Sequence, residues 1–258
     1  MRRPPPDPPD DDGWTSEVSS GFALAGFLAL VFVAFTLLAM GPLAKFDAYF
    51  NLAPPPKQWV PFLHVLDRIG QRAICLPILG VIAFVLARRR ESWRPGVVAA
   101  VSVFMLNLVV LILKLGFGRE GPHSSDPSFF NGGMAYPSGH SSNIVLVYGL
   151  MAYLVSRYGG PPRRTRVTLW GIVVVLSVTM VITSLSLDWH WFADLVAGLI
   201  VGGIVLQLTV TLDHLVPQTA FAHGWRTGVD ELRALLPWRQ GPKVTPEGPS
   251  GTGGEGPA

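Results

Sequence analysis

Long runs without ionisable side chains are the feature that most constrains this chain. Residues 21–40 contain no Asp, Glu, Lys, Arg or His, and neither do residues 167–187. Each run reaches the ~20 residues that a helix needs to cross the hydrocarbon core of a bilayer. Charged residues make up only 14% of the chain, against roughly 25% in a soluble domain. The sequence therefore predicts an integral membrane protein.

Six apolar segments predict six membrane-spanning helices. Backbone polar groups cannot stay unsatisfied in lipid, so a spanning segment is either a helix or a barrel strand, and no ten-residue alternation typical of barrel strands occurs. The expected fold class is therefore all-α, a six-span transmembrane helix bundle within residues 21–215. The segments are approximately residues 21–41, 72–87, 96–116, 140–156, 167–187 and 191–213.

Both ends of the chain differ from this apolar part in composition. Residues 1–20 are rich in Pro and Asp, and within the 216–258 tail, which we expect to be mostly disordered, residues 240–258 are dominated by Gly and Pro. Such segments bury too little apolar surface to become ordered, so we expect disordered tails. The single cysteine, Cys75, excludes an intramolecular disulfide and a thiolate metal cluster, and we expect it to be buried as a small apolar residue. Gly198 and Gly202 are spaced for close packing between helices.

Basic residues predict the orientation in the membrane, because short cytoplasmic connections are enriched in Lys and Arg. With six spans, both termini are then cytoplasmic and the 117–139 loop faces outward, as expected of a multi-pass protein of the plasma (inner) membrane. The net charge of +3 is spread over short connections, which argues against a nucleic-acid partner. The arginines that follow the second and fourth spans are Arg88, Arg89, Arg90, Arg94, Arg157, Arg163, Arg164 and Arg166.

A histidine and a carboxylate stand at the start of the sixth apolar segment. His190 precedes Asp194 by four residues, a spacing that places both on one face of a helix. A carboxylate in that position can orient an imidazole and make it more nucleophilic. The alternative is an acid that only caps or packs the helix and pairs with an interfacial histidine.

A second histidine follows a Ser-Gly turn at the start of the fourth segment. Ser138 can cap the helix that begins with Gly139 and His140, and the free backbone N–H groups of a helix start suit an anion. Lys114 and Arg119 lie earlier in the chain on the same predicted side. Together these residues predict a site for a phosphate ester. Taken singly, Lys114 is typical of a membrane anchor, and Ser-Gly of an ordinary turn.

These motifs resemble the type 2 phosphatidic acid phosphatase superfamily of membrane lipid phosphatases. The resemblance covers roughly residues 60–213, including the six-span arrangement and the order of three motifs. The family's second motif, P-S-G-H, is matched in full by residues 137–140. Its third motif, S-R-x-x-x-x-x-H-x-x-x-D, is matched at its end by His190 and Asp194.

Two arginines of the family's motifs are missing. The first motif, K-x-x-x-x-x-x-R-P, is matched by Lys114 and Pro122, but Gly121 replaces its arginine and leaves Arg119 as the nearby guanidinium. In the third motif, residues 183–184 are Thr-Ser instead of Ser-Arg. Lysine does not reproduce bidentate arginine contacts with phosphate. Other cationic side chains on the same predicted side are candidates to compensate, namely Arg68, Arg72 and His123.

The resemblance implies hydrolysis of a lipid phosphate or lipid diphosphate at the extracytoplasmic face of the membrane. His190 is implied to attack phosphorus and form a phosphohistidine, with Asp194 orienting the imidazole. His140 is implied to act as general acid and then as general base. No metal and no other cofactor is implied. The residues implied to bind the substrate phosphate are Lys114, Arg119, Ser138 and Gly139.

Several alternatives remain open at the level of sequence. The same intermediate could pass its phosphoryl group to another alcohol, as in a phosphotransferase, or the chain could bind lipid phosphates with little turnover. A metal site is a further alternative, although no tight ligand pair such as H-E-x-x-H occurs. Asp188 is expected to cap the sixth helix or to add a hydrogen bond near His190. Glycerolipid, sphingoid and isoprenoid substrates are all compatible with the motifs, and the oligomeric state is open.

Overall fold

The structure, a computed structural model, describes residues 11–49, 55–124, 126–217 and 221, with residues 11–15 and 48 described by their backbone alone. All regular structure within these ranges is helical, which confirms the predicted all-α class. A short 3₁₀ helix covers Pro122–Ser124. The α-helices are α1 (Asp11–Met40), α2 (Ala44–Tyr49), α3 (Val60–Arg68), α4 (Arg72–Arg90), α5 (Arg94–Phe117), α6 (Gly139–Asn143), α7 (Gly149–Leu154), α8 (Arg163–Ser186) and α9 (Phe192–Leu215).

Residues 139–159 form one helical run, which we call the segmented helix. In it α6 and α7 alternate with π-helical turns at Ile144–Tyr148 and Val155–Gly159. The run contacts α4, α5, α8 and α9, and Leu146, Leu150 and Leu154 are fully buried. The segmented helix is therefore the centre of the bundle, and Gly139 and His140 stand at its first turn.

Five of the six predicted spans are confirmed by helix length and apolar composition within the described ranges. The remaining span, residues 140–156, falls in the segmented helix, where no single α-helical piece is long enough to cross a membrane. Its two changes from α to π geometry were not evident from the apolar pattern. The five candidate spans are Ser16–Met40, Val60–Arg90, which contains α3 and α4, Arg94–Ser124, Arg163–Ser186 and Phe192–Leu215.

The first helix begins earlier than its apolar residues indicated. α1 starts at Asp11, and the hydroxyl groups of Ser19 and Ser20 donate hydrogen bonds to the carbonyl of Ser16 at 3.0 and 2.7 Å. A helix satisfies its own backbone groups, so it can extend beyond the apolar segment that it continues. Residues 11–20 of the expected disordered tail thus belong to α1 in the structure. Residues 1–10, 218–220 and 222–258 lie outside the described residues.

Close packing between α9 and the segmented helix fixes the relative position of the two histidine motifs. A Cβ added at Gly198 would lie 2.5 Å from the carbonyl oxygen of Ser138, and one at Gly202 would lie 2.7 Å from that of Ser142. Both distances are too short for a side chain, which confirms the packing role expected of these glycines. The N-terminal half of α9 consequently lies directly against the residues that follow Pro137.

Candidate active site

A cleft of about 440 Å³ at one end of the bundle brings the two motif histidines to a common space. His140 reaches it from the first turn of the segmented helix, and His190 from the connection between α8 and α9. Lys114, in the last turn of α5, lines a third side. Four predicted site residues thus border one cleft. The complete lining is Gly70, Gln71, Arg72, Lys114, Met134, Gly139, His140, Asn143 and His190.

The start of α9 holds His190 against a buried carboxylate. Asp194 is fully buried, and its Oδ2 accepts a hydrogen bond from the backbone N–H of Trp191 at 3.0 Å. The same oxygen lies 3.4 Å from Nδ1 of His190. Because Asp194 occupies the Nδ1 side of the imidazole, Nε2 is the nitrogen available to a group in the cleft. This arrangement suits a nucleophilic imidazole whose tautomer is fixed by a carboxylate.

Asp188 does not have the capping role that we expected. The cap of α9 is Trp191, and the acid that closes its first turn is Asp194. Asp188 instead has a positive φ of 56°, and its buried Oδ1 has no hydrogen-bond partner within the described part of the chain. The chain turns at Asp188, so the helix starts too late for this carboxylate to reach its first N–H groups.

Arg119 lies behind the cleft and is bound to two carboxylates. Its Nη1 is 2.7 Å from Oδ1 of Asp194, and its Nη2 is 2.6 Å from Oδ2 of Asp47. Its Nε donates to the carbonyl of Pro127 at 2.9 Å, and the side chain is fully buried. All three guanidinium nitrogens are therefore engaged. The predicted contact between Arg119 and the substrate phosphate does not fit this position, whereas a role in holding Asp194 does.

Asp47, on α2, was not identified from the sequence. Its Oδ1 accepts the backbone N–H of Ala193 at 2.8 Å, so it fastens α2 to the first turn of α9. Burial raises the pKa of Asp47, and the hydrogen bond and charge of Arg119 oppose that change. Arg119, together with the backbone N–H of Ala193, thus favours the ionised form of this carboxylate.

Ser138 is also behind the cleft rather than in it. It is fully buried, its Oγ accepts the N–H of Ser141 at 3.5 Å, and its own N–H donates to the carbonyl of Asp194 at 2.9 Å. Ser138 therefore caps the segmented helix, as predicted, and ties it to α9. Its predicted contact with phosphate is not supported by this geometry. Gly139, the next residue, does border the cleft.

A second carboxylate faces the other histidine. Oδ2 of Asp67, at the end of α3, lies 3.8 Å from Nε2 of His140 and accepts a hydrogen bond from Nε2 of Gln71 at 3.2 Å. Asp67 is fully buried, and its Oδ1 has no partner in the described part of the chain. Sequence analysis missed Asp67. The sequence did contain one indication of its role. An acidic residue that stands shortly before an apolar segment, as Asp67 stands before residues 72–87, is a reason to suspect a functional residue.

The cationic side of the cleft is formed by Arg72 and Lys114. Nζ of Lys114 donates to the carbonyl of Met134. Arg72, the first residue of α4, is exposed to the cleft and forms no hydrogen bond or ion pair with the residues that the structure describes. Arg68 and His123, the other two candidates for compensation, are exposed and do not line the cleft. Arg72 is thus the guanidinium best placed to meet an anion.

The site of one missing family arginine is filled by apolar packing. Ser184 is fully buried, and its hydroxyl donates to Sδ of Met180 at 3.5 Å. The terminal methyl of Met180 in turn closes on Gly70, where an added Cβ would lie 2.5 Å from it and 3.5 Å from Cδ2 of His140. Gly70 and Met180 therefore form the wall beside His140. Arg72 follows Gly70 by two residues in the chain. Among the described residues, no group of three or more His, Cys, Asp or Glu side chains is placed to hold a metal ion.

Comparisons with known proteins agree on one family. The model of the PAP2 superfamily matches residues 95–216. Phosphatidylglycerophosphatase B of Bacillus subtilis (strain 168) is 22% identical over 151 residues, which are 58% of this chain and 73% of that protein. A crystal structure described as the first transmembrane PAP2 type phosphatidylglycerolphosphate phosphatase from Bacillus subtilis is 19% identical, with a TM-score of 0.66. The match covers 75% of this chain and 97% of that one, so the two share a fold.

Proposed function

We propose that the chain is a member of the PAP2 superfamily, whose model matches residues 95–216, and that it hydrolyses the phosphate ester or diphosphate of a membrane lipid through a phosphohistidine. The observation that carries this proposal is the shared cleft of His140 and His190. Each imidazole has its own buried carboxylate, and two cationic side chains stand beside them. The groups that we propose as general acid, nucleophile and anion-binding residues thus border one cleft, which supports the proposal.

In the first step, Nε2 of His190 attacks phosphorus and the bond between phosphorus and the leaving oxygen breaks. His140 donates a proton to that oxygen, so the product leaves as an alcohol, or as a monophosphate when the substrate is a diphosphate. In the second step, a water molecule gives a proton to His140 and attacks phosphorus. The bond between phosphorus and nitrogen breaks, and inorganic phosphate leaves. Asp194 stabilises the positive charge that develops on the His190 ring.

The phosphate oxygens are stabilised by Lys114, Arg72 and the start of the segmented helix. Ser138 caps the N–H of Ser141, which leaves the N–H groups of Gly139 and His140 without an intrahelical acceptor. Such N–H groups bind phosphate oxygens well. Arg72 supplies the guanidinium that residues 121 and 184 lack. Phosphoryl transfer depends mainly on such positioning and charge stabilisation.

Replacing Arg72 with glutamine is expected to lower kcat/KM for phosphate release about 10- to 100-fold, since one charged hydrogen bond contributes roughly 1.5–3 kcal/mol. Steady-state kinetics on the purified protein measure this loss. Arg68→Gln is the matched control, because Arg68 is an exposed arginine near the same end that does not line the cleft. An equal loss in both variants would contradict a specific contact by Arg72.

Replacing Asp67 with asparagine is expected to move the alkaline limb of the pH–rate profile for phosphate release to lower pH. The Asp67 carboxylate, 3.8 Å from His140, favours the protonated imidazole that acts as general acid, and asparagine removes that charge at nearly constant shape. The readout is the pH profile of single-turnover phosphate release. Asp126→Asn, a change of an exposed acid, leaves the profile in place. A uniform loss of rate without a shift would assign Asp67 a structural role only.

The proposal as a whole is tested by phosphate release from a panel of lipid phosphates. The panel contains phosphatidic acid, phosphatidylglycerol phosphate and polyprenyl diphosphate, each presented with and without a chelator and with and without an added alcohol. We expect release that the chelator does not affect, and phosphorylated alcohol would identify a phosphotransferase. We also infer that the cleft faces the extracytoplasmic side, so substrate added outside intact cells should be hydrolysed. If phosphate is released from none of these lipids, the proposed enzymatic activity is refuted.

A further inference from the structure

A fixed ion pair lies at the end of the bundle opposite the histidine cleft. Nε of Arg94, at the start of α5, is 2.8 Å from Oδ1 of Asp213, near the end of α9. The hydroxyl groups of Tyr153 and Tyr158 donate to Oδ2 of Asp213 at 2.6 and 2.8 Å. All four side chains are buried. The carboxylate is therefore fully engaged, and Arg94 is held rigidly with its charge compensated.

A polar cleft of about 400 Å³ opens beside this ion pair. Its lining is Arg90, Ser92, Arg94, Arg157 and Tyr158, so three guanidinium groups and no carboxylate border it. Nε of Arg90 donates to the carbonyl of Tyr158 at 2.7 Å, which fixes Arg90 at the rim. Arg157 forms no hydrogen bond or ion pair with the residues that the structure describes. Within the described ranges neither Arg90 nor Arg157 forms an ion pair with a carboxylate, so two guanidinium charges face the cleft.

We propose that this arginine cleft, lined by the five residues just named, binds the phosphate group of an anionic lipid. Guanidinium groups bind phosphate through paired, charge-assisted hydrogen bonds, and basic pockets between membrane helices recognise lipid headgroups. The site is separate from the catalytic one. Arg72 and Arg90 stand at opposite ends of α4, whose 19 residues span about 27 Å at 1.5 Å per residue. The inference is therefore independent of the proposed reaction.

A lipid fits the surroundings better than a free phosphate ion. Arg94 also borders an apolar groove of about 320 Å³ between α5 and α9, lined by residues that include Val97, Val101, Met105 and Leu208. A lipid whose phosphate enters the arginine cleft can lay an acyl chain along such a groove. Packing of the acyl chain against this groove adds van der Waals contacts to the binding, which free phosphate does not gain.

The test is the binding of phosphatidylglycerol to the delipidated, purified protein, counted by native mass spectrometry. Arg157→Gln is the informative variant, because Arg157 is exposed and forms no hydrogen bond or ion pair within the described structure, so we expect its replacement to leave the fold intact. Its apparent Kd for one bound phosphatidylglycerol is expected to rise about tenfold or more. Arg164→Gln, which removes an exposed arginine near the same end, is the charge-matched control and binds like the unchanged protein. Phosphatidylcholine binding does not change in either variant.

Inorganic phosphate distinguishes the two sources of the phosphate group. If phosphate alone shows Arg157-dependent binding while phosphatidylglycerol does not, the site holds a free anion and the lipid assignment fails. Equal weakening by Arg164→Gln would show that only surface charge acts, and unchanged binding in Arg157→Gln would overturn the site itself. The rate of phosphate release in Arg157→Gln separates this result from the proposed reaction, because catalysis proceeds at the other end of α4.

Discussion

Phosphate release falls about 10⁴-fold or more when His190 is replaced with alanine, because the proposed reaction then has no nucleophile. The ring of His190 is only 12% exposed and lies between Asp194 and the cleft, so a water molecule cannot replace it with the same orientation. The measurement is kcat for release from whichever lipid phosphate the unchanged protein hydrolyses fastest. His123→Ala is the control, since His123 is exposed and does not line the cleft.

Trapping of the intermediate separates a nucleophile from a merely structural histidine. With labelled substrate and rapid denaturation, the unchanged protein should retain phosphate in a linkage that is stable to base and labile to acid. His140→Ala should slow the formation and the breakdown of this species, since one group serves both steps. His190→Ala should retain none. Undiminished turnover in His190→Ala, or retention of labelled phosphate by that variant, would refute the assignment of His190 as the nucleophile.

The helical bundle was predictable because a bilayer permits few alternatives. Runs such as residues 21–40 and 167–187 must satisfy their backbone groups internally, so apolar length alone indicates helices. The interruptions were not predictable. The segmented helix changes to π geometry at Ile144–Tyr148, where nothing in the apolar pattern differs from an ordinary span. The segmented helix contacts four surrounding helices. Its conformation depends on these contacts, which cannot be read from the apolar pattern of one sequence.

The candidate site was predictable where its residues are close in sequence. His190 and Asp194 are four residues apart, and Ser138 precedes the helix that it caps, so local geometry determines both relationships. Asp47 and Asp67 act through partners that are distant in the chain, and they carry no local signal of those partners. Sequence analysis therefore did not identify either carboxylate, because the partners that give them a role are distant in the chain.

Arg119 shows why residue type alone does not settle a role. Next to a phosphate motif, a guanidinium is expected to bind phosphate, and the sequence contains nothing that distinguishes this from a buried ion pair. The distinction is burial: Arg119 is fully enclosed, with its guanidinium carbon 4.7 Å from the centre of the Phe129 ring and 5.6 Å from that of Trp191. Arg72 is exposed at the cleft instead. The two arginines should therefore differ in what their removal affects.

Replacing Arg119 with methionine is expected to destabilise the protein by about 3–5 kcal/mol, because it leaves two buried carboxylates without their shared cation. Asp47 and Asp194 lie 2.6 and 2.7 Å from its terminal nitrogens. The measurement is the thermal unfolding midpoint in detergent, with Arg72→Met as the control. Arg72→Met should lower activity without lowering the midpoint. A stable Arg119→Met variant that only raises KM would restore the phosphate-binding role.

A double-variant cycle tests whether the loss comes from the ion pair itself. Asp47→Asn keeps an oxygen for the N–H of Ala193 but removes one of the unpaired charges. In the Arg119→Met background it should therefore raise the unfolding midpoint, whereas in the unchanged protein it should lower it. Opposite signs in the two backgrounds are the mark of direct coupling between the groups. Additive losses would show that Arg119 stabilises the bundle through packing against Phe129 and Trp191, and not through its ion pair with Asp47.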